Sequence, residues 1–307
     1  MKHSAKVVMI LLGMFFVTQL IGLAVVHYYG PEYQLVVDEN GKFIEKTVYN
    51  LPYGMEPPEG VTPSSTLVSI VMAIGIAVVF MLILMRYKAA IFLRLWFFIV
   101  VILALGVTIN AILGSIPYAS IIAILIAIPL AAIKIFKRNI IVHNVTELFI
   151  YPGIASIFVP LLNIWTVVLL LIIISIYDIY AVWHAGFMQK MAQYQIKELK
   201  FFTGFFVPYL GPKERAMIKN AKKNDKLKDK KVKVNVAILG GGDVIFPIIL
   251  AGVVYNTLGL LSALIISVGA TAALGWLFYI SKKGKFYPAM PFISVGCFIA
   301  LGIAYLV

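Results

Sequence analysis

Three acidic side chains, Glu147, Asp178 and Asp243, stand inside stretches that otherwise carry almost no charge. The most unusual setting is that of Asp243, which follows Gly240, Gly241 and Gly242 in the segment VAILGGGDVIFP. Two carboxyl groups about 3 Å apart cannot both ionise cheaply, so a facing pair holds one shared proton. Such a pair can split a peptide bond with water. The ionised partner takes a proton from the water while the protonated partner polarises the scissile carbonyl, and neither role belongs permanently to one residue. The competing reading is a structural pair of buried acids, since a protonated or hydrogen-bonded acid is less costly to bury than an isolated ion.

The elements that hold these acids are membrane spans. Of the 307 residues 62% are hydrophobic and only 13% charged, a balance that a soluble domain of this length would not tolerate. A bilayer core of about 30 Å needs roughly 20 apolar residues in helical form, and the uncharged runs give nine such spans. The first covers residues 7–27 and the second 66–85. The run 95–133 is too long for one crossing and turns near 110–117 into a third and a fourth. The run 139–189 divides around 160–163 into a fifth and a sixth, and 234–281 divides near 256–259 into a seventh and an eighth. Residues 286–307 make the ninth. The chain therefore reads as an all-α polytopic membrane protein with nine transmembrane helices. It has no short-period repeat and no low-complexity tract.

Positive charge sets the orientation, because Lys and Arg are retained on the cytoplasmic side of short loops. With the N-terminus cytoplasmic and the C-terminus external, 24 of the 26 Lys and Arg residues fall inside, among them Lys134. Only Lys42 and Lys46 fall outside, beside six acids between residues 32 and 59. The net charge of +13 is thus a topology signal, and nucleic acid is not an expected partner. The N-terminal apolar run exceeds the 7 to 15 residues of a typical signal-peptide core and is read as a retained anchor. Residues 33–48 alternate around Asn40-Gly41, which favours a hairpin with a type I′ turn. Cys297 is the one cysteine, so no disulfide framework exists. Asn144-Val145-Thr146 fits a glycosylation triplet but lies on the cytoplasmic side.

Depth decides which acids can meet. A charge at the centre of a span costs about 3 kcal/mol on insertion scales, so each acid needs a partner, a watery cavity or a proton. Asp178 lies about 16 Å from the inner end of the sixth span near Gln189, and Asp243 about 12 Å into a seventh span starting near Asn235, at about 1.5 Å per residue. On consecutive antiparallel helices the two carboxyls then face each other. Gly240, Gly241 and Gly242 remove side chains beside Asp243 and permit a loosened helix start, where a substrate backbone can come close. Glycines in membrane helices also serve as close-packing surfaces, and that alternative stands beside the first.

These residues resemble a family. Tyr177-Asp178 in the sixth span, Gly240-Gly241-Gly242-Asp243 in the seventh and Pro288-Ala289-Met290 opening the ninth look like the YD, GxGD and PAL motifs of presenilin and signal peptide peptidase, the intramembrane aspartyl proteases. The three motifs occur in the family's order on the matching spans, with Met290 where the family has leucine. The resemblance implies a catalytic dyad of Asp178 and Asp243, with Tyr177, the three glycines and Pro288 to Met290 supporting the site. It implies no metal and no cofactor. It also implies single-span transmembrane protein or peptide substrates with external N-termini, in a prokaryotic plasma membrane. The cytoplasmic N-terminus matches presenilin rather than signal peptide peptidase. The chain then divides into an N-terminal scaffold, 1–163, with an external loop 28–65, and a catalytic part, 164–307, with a basic cytoplasmic loop 190–233. Obligate partner subunits are not evident.

An intramembrane protease must unwind its helical substrate and hold the strand. Residues 231–236, KVKVNV, alternate strictly with β-branched side chains, and Val232, Val234 and Val236 form an expected strand edge that pairs with the substrate by β-augmentation. The alternative is a basic flank snorkelling to the headgroups. Residues 201–212 are aromatic and expected at the interface, while 219–231 read as a solvated tract that self-cleavage could reach. Glu147, near the depth of the dyad, either hydrogen-bonds behind it or pairs with a polar neighbour at the helix end. His143 and His184 lack metal-ligand spacing, and no HExxH, serine–histidine arrangement or phosphate loop occurs. Two rivals stand. A proton- or cation-coupled transporter would also bury acids beside a glycine-broken helix, and a prepilin peptidase would share the GxGD pattern without explaining nine spans.

Overall fold

The computed structural model describes residues 5–37, 43–58, 60–137, 139–185, 191, 194–199, 202–209, 235–282 and 287–307. Among these the helices in chain order are α1 (Ala5–Tyr28), α2 (Pro63–Arg86), α3 (Ala90–Leu113), α4 (Ala119–Phe136), α5 (Ile140–Phe158), α6 (Ile164–Tyr180), α7 (Gly241–Leu258), α8 (Leu260–Ile280) and α9 (Met290–Ala304). Eight are long and apolar enough to cross a membrane; α9, at 15 residues, is a shorter apolar helix.

Local chemistry sets several of these boundaries. Asn163 begins α6 with a capping box, its Oδ1 accepting from Thr166 N–H at 2.9 Å while its own N–H donates to Thr166 Oγ1 at 2.9 Å. Thr62 and Ser65 cap α2 in the same way, with Pro63 in the first turn. The turn between α3 and α4 is tied by Asn110, which donates to Tyr29 Oη at 2.8 Å and accepts from Ser120 Oγ at 3.0 Å. The divisions expected from apolar run length are therefore found: polar side chains fix those at Asn110 and Asn163, and Gly259, with a φ of 87°, makes the one between α7 and α8.

One core runs through the bundle. Helix α5 packs on α1, α3 and α7, and α9 packs on α8, α6 and α7, whereas α2 packs lightly on α6 and α3 and is the least buried of the eight long helices. A Cβ on Gly153 of α5 would meet Ala104 of α3, and one on Gly269 of α8 would meet α9 at Gly296 and Ala300. With little hydrophobic drive between helices in lipid, such close backbone contact supplies packing energy.

Two antiparallel hairpins accompany the helices. The outer one pairs β1 (Glu32–Val37) with β2 (Phe43–Val48), as expected for residues 33–48, and its Asn40-Gly41 turn lies outside the described residues. The second pairs β3 (Gly204–Tyr209) with β4 (Asn235–Gly240), from Gly204 opposite Gly240 to Tyr209 opposite Asn235.

Three expectations are corrected, two of them by this hairpin. The seventh helix does not start near Asn235: residues 235–240 are extended and the helix begins only at Gly241, because β3 supplies a ladder as far as Gly240, which stays extended as the cap of α7. The aromatic stretch is not an interfacial layer. Phe205 is fully buried and Val207 nearly so, because period-2 alternation turns them into the core. The ninth helix is not opened by Pro288 either. Its first turn holds Met290 and Pro291, with Pro288 two residues before it.

Candidate active site

Asp178 and Asp243 come from opposite kinds of helix end. Asp178 lies in the last turn of α6, before a π-helical turn at Ala181–Ala185, while Asp243 lies in the first turn of α7. Helices α6, α7 and α9 pack against one another. The two carboxyl groups lie within electrostatic reach of each other. Asp243 thus lies in the first turn of its helix, not several residues inside it.

Each acid is held by backbone. Met290 N–H donates to Asp178 Oδ2 at 3.1 Å, and the Ala289 N–H also reaches that carboxyl. These are the unpaired N–H groups that every helix leaves at its N-terminus, so the start of α9 is a built anion cradle for Asp178. Pro288 and Met290 are buried, and Tyr177, half-buried, precedes Asp178. The Asp243 carboxyl turns back onto the Gly240 backbone, in the manner of an acid at the third helical position bonding the cap residue.

The three glycines differ. A Cβ on Gly240 would stand 3.1 Å from Asp243 Oδ2, and one on Gly241 2.8 Å from the ring of Tyr151. Gly242 is exposed, and a Cβ there would meet Phe246 at an ordinary 3.6 Å. Loosening and close packing are therefore both present, at neighbouring positions: Gly240 is the extended cap, and Gly241 is packed on α5.

Glu147 accepts from Lys134 Nζ at 2.6 Å, and both side chains are almost wholly buried. Lys134, expected as a cytoplasmic boundary charge, is inside the protein with 4% exposure, because an intramembrane acid on the next helix offers it a partner. Glu147 Oε1 also accepts from Gly204 N–H at 3.3 Å, so it contacts the hairpin rather than either aspartate. Val236 is described in β4; Val232, Val234 and the tract 219–231 lie outside the described residues.

Sequence reasoning overlooked Tyr151, which is 2% exposed and stacks edge-to-face on Phe205 with ring centres 5.6 Å apart. It also overlooked the bond of 2.9 Å between Ser175 Oγ on α6 and Ser294 Oγ on α9, one turn from the Asp178 and Met290 contact. A usable signal was present for the first. His143, Glu147 and Tyr151 recur every four residues and put one polar stripe on an apolar helix. Among the described residues no group of His, Cys, Asp and Glu could hold a metal ion.

Comparison with known proteins bears on the family and the fold. The family model described as signal-peptide peptidase, presenilin aspartyl protease matches residues 48–307. Two solved structures of a presenilin family intramembrane aspartate protease are similar in fold. The one in space group C222 has a TM-score of 0.58 at 19% identity, covering 97% of each chain. The one in space group P2 has a TM-score of 0.56 at 17% identity, covering 96% of each chain. No curated protein matches the sequence. The match over most of the chain, on a fold that brings the YD, GxGD and PAL-like segments to one place, means that this protein belongs to the signal-peptide peptidase and presenilin family of intramembrane aspartyl proteases.

Proposed function

We propose that Asp178 and Asp243 are the catalytic dyad of this intramembrane aspartyl protease. The observation that carries the reading is that two acids on separate helix ends lie within electrostatic reach, each turned onto the backbone of a motif segment. The ionised carboxylate takes a proton from water as the water oxygen adds to the scissile carbonyl, and the protonated partner donates to the carbonyl oxygen. Collapse of the tetrahedral diol breaks the C–N bond: the proton taken from water passes to the departing amine, and one hydroxyl proton of the diol returns to the carboxylate that had protonated the carbonyl oxygen. Purified protein should cleave a transmembrane peptide, and Asp178→Asn or Asp243→Asn should not. The transporter reading has no support from the family match; proton-coupled uptake into liposomes that either variant abolishes would reopen it.

We further propose that the substrate is bound as a strand on the outer edge of β4. The ladder joins odd-numbered residues of both strands, continuing through the bond of 3.3 Å from Gly241 N–H to Thr203 O. The even-numbered residues Val236 and Ile238 therefore turn their backbone groups away from β3. The far edge of β3 is already occupied. Asn144 both donates to Phe206 O and accepts from Phe206 N–H, at 2.9 and 3.0 Å, and Pro208 has no N–H to offer. An added strand is thus directed to β4, which runs straight into Asp243.

The substrates of the family are transmembrane segments. The positive-inside pattern supports a cytoplasmic N-terminus, as in presenilin, and on that resemblance we propose single-span substrates with external N-termini and a prokaryotic plasma membrane. The division into a scaffold, 1–163, and a catalytic part, 164–307, is proposed because both aspartates lie in the second part.

A further inference from the structure

Helix α5 carries a stripe of polar side chains that neither acid touches. Lys134 and Glu147 are 4% and 1% exposed and 2.6 Å apart. A buried ion pair adds little net stability over a well-packed apolar pair, because desolvation offsets the attraction. What it does supply is position. The Lys134 ammonium fixes Glu147 Oε1, and that oxygen accepts from Gly204 N–H at 3.3 Å.

One turn earlier, His143 Nε2 lies 2.8 Å from Gly204 O. A carbonyl only accepts, so Nε2 carries the proton and Nδ1 is the acceptor facing Lys134 Nζ at 3.2 Å. His143 and Glu147 thus hold both backbone groups of one residue, and Asn144 holds both backbone groups of Phe206 two residues on. Gly204 is the residue opposite Gly240 across the hairpin, with a φ of 152° and the Leu239 carbonyl where a Cβ would stand.

One turn later, Tyr151 sits against Gly241 and against Phe205, the β3 residue between the two that are held. Its hydroxyl is fully buried beside Glu147, lacks the geometry of a full hydrogen bond among the described residues, and lies within electrostatic reach of Asp243. Three successive turns of α5 therefore touch Phe206, Gly204 and Gly241 in order, and Gly241 is two residues from Asp243.

We propose that this stripe is the fixture that positions Asp243: Lys134 holds Glu147, Glu147 and His143 hold Gly204, and Tyr151 seats Gly241, which makes Glu147 and Tyr151 positioning residues for the proteolytic reaction. The proposal rests on Asp243 being one of the dyad. Because the stripe touches β3 and the start of α7 and not the outer edge of β4 proposed for the substrate, its loss lowers kcat and leaves KM within about twofold.

The test compares purified variants on one transmembrane peptide substrate, with thermal unfolding measured alongside. Asp243→Asn is the control; if it cleaves like wild type, the dyad reading fails, independently of the stripe. Lys134→Leu with Glu147→Leu removes the contact to Gly204 without leaving a lone charge. The expected result is a kcat at least tenfold lower, a KM within twofold and an unchanged unfolding midpoint. Lys134→Gln with Glu147→Gln keeps a side-chain oxygen for the Gly204 N–H and is expected to return kcat to within threefold of wild type. Tyr151→Leu removes the ring that seats Gly241, with kcat expected at least threefold lower and KM within twofold, while Tyr151→Phe keeps that ring and is expected to stay within twofold of wild type. Wild-type kcat in the leucine pair, or equal damage in the glutamine and leucine pairs, overturns the proposal. If the leucine pair does not fold, wild-type kcat in Tyr151→Leu overturns it instead.

Discussion

The Asp178 carboxylate and the Met290 backbone are joined by a bond of 3.1 Å in which the motif residue contributes its N–H and not its side chain. The Met290 side chain points into the core with 3% exposure. Hydrogen bonding to the acid is thus indifferent to whether leucine or methionine follows Ala289.

Met290→Leu is therefore expected to cleave within about threefold of wild type, since the swap conserves volume and costs under about 1.5 kcal/mol. Met290→Ala should lower the unfolding free energy by about 2–5 kcal/mol through the cavity it leaves. Denaturant or thermal unfolding in detergent, run beside a peptide cleavage assay, checks both.

Gly241 and Gly242 should separate stability from activity. Gly241→Ala places a methyl 2.8 Å from the Tyr151 ring, and overpacking of this kind costs about 1–3 kcal/mol. Gly242→Ala meets nothing closer than 3.6 Å, so its unfolding midpoint should equal that of wild type. Its exposed face borders Asp243, and cleavage should fall at least fivefold as the methyl keeps the substrate backbone away. A lower midpoint in Gly242→Ala than in Gly241→Ala would contradict this.

The strand pairing can be probed at Ile238. Proline there removes an outward N–H and spares the ladder to β3, whereas proline at Leu239 removes a ladder bond. Ile238→Pro is expected to raise KM at least tenfold with an unchanged unfolding midpoint, and Leu239→Pro to lower the midpoint. Unaltered KM in Ile238→Pro would mean that the substrate does not add to β4.

Lys134 and Glu147 should show strong coupling in a stability cycle. Lys134→Leu alone leaves a buried, unpaired Glu147 and should cost about 3–5 kcal/mol, while the double leucine variant should lie near wild type. Additive single and double effects in chemical denaturation would show that the pair does not interact.

Much of this layout was legible in the sequence. Run length located the membrane helices, because roughly 20 apolar residues are needed whatever packs around them. The two aspartates stood out for a related reason: a charge inside such a run must do something to be tolerated. The strand at Asn235–Gly240 was not legible as the start of a hairpin. Its apolar residues continue without a break into α7, and its partner β3 lies more than two dozen residues earlier, so only the pairing distinguishes strand from span. Lys134 was misread for a similar reason. A lysine at the end of an apolar run looks like a boundary, and only the neighbouring helix, bringing Glu147 to 2.6 Å, turns it inward.

The most direct measurement is cleavage of a transmembrane peptide by the purified wild-type protein, Asp178→Asn and Asp243→Asn in the same detergent or bilayer preparation. Wild type should cut the peptide within its membrane-spanning segment, and each variant should lose at least a thousandfold in kcat while unfolding at the wild-type temperature. Cleavage at the wild-type rate by either variant would contradict the assignment of the dyad.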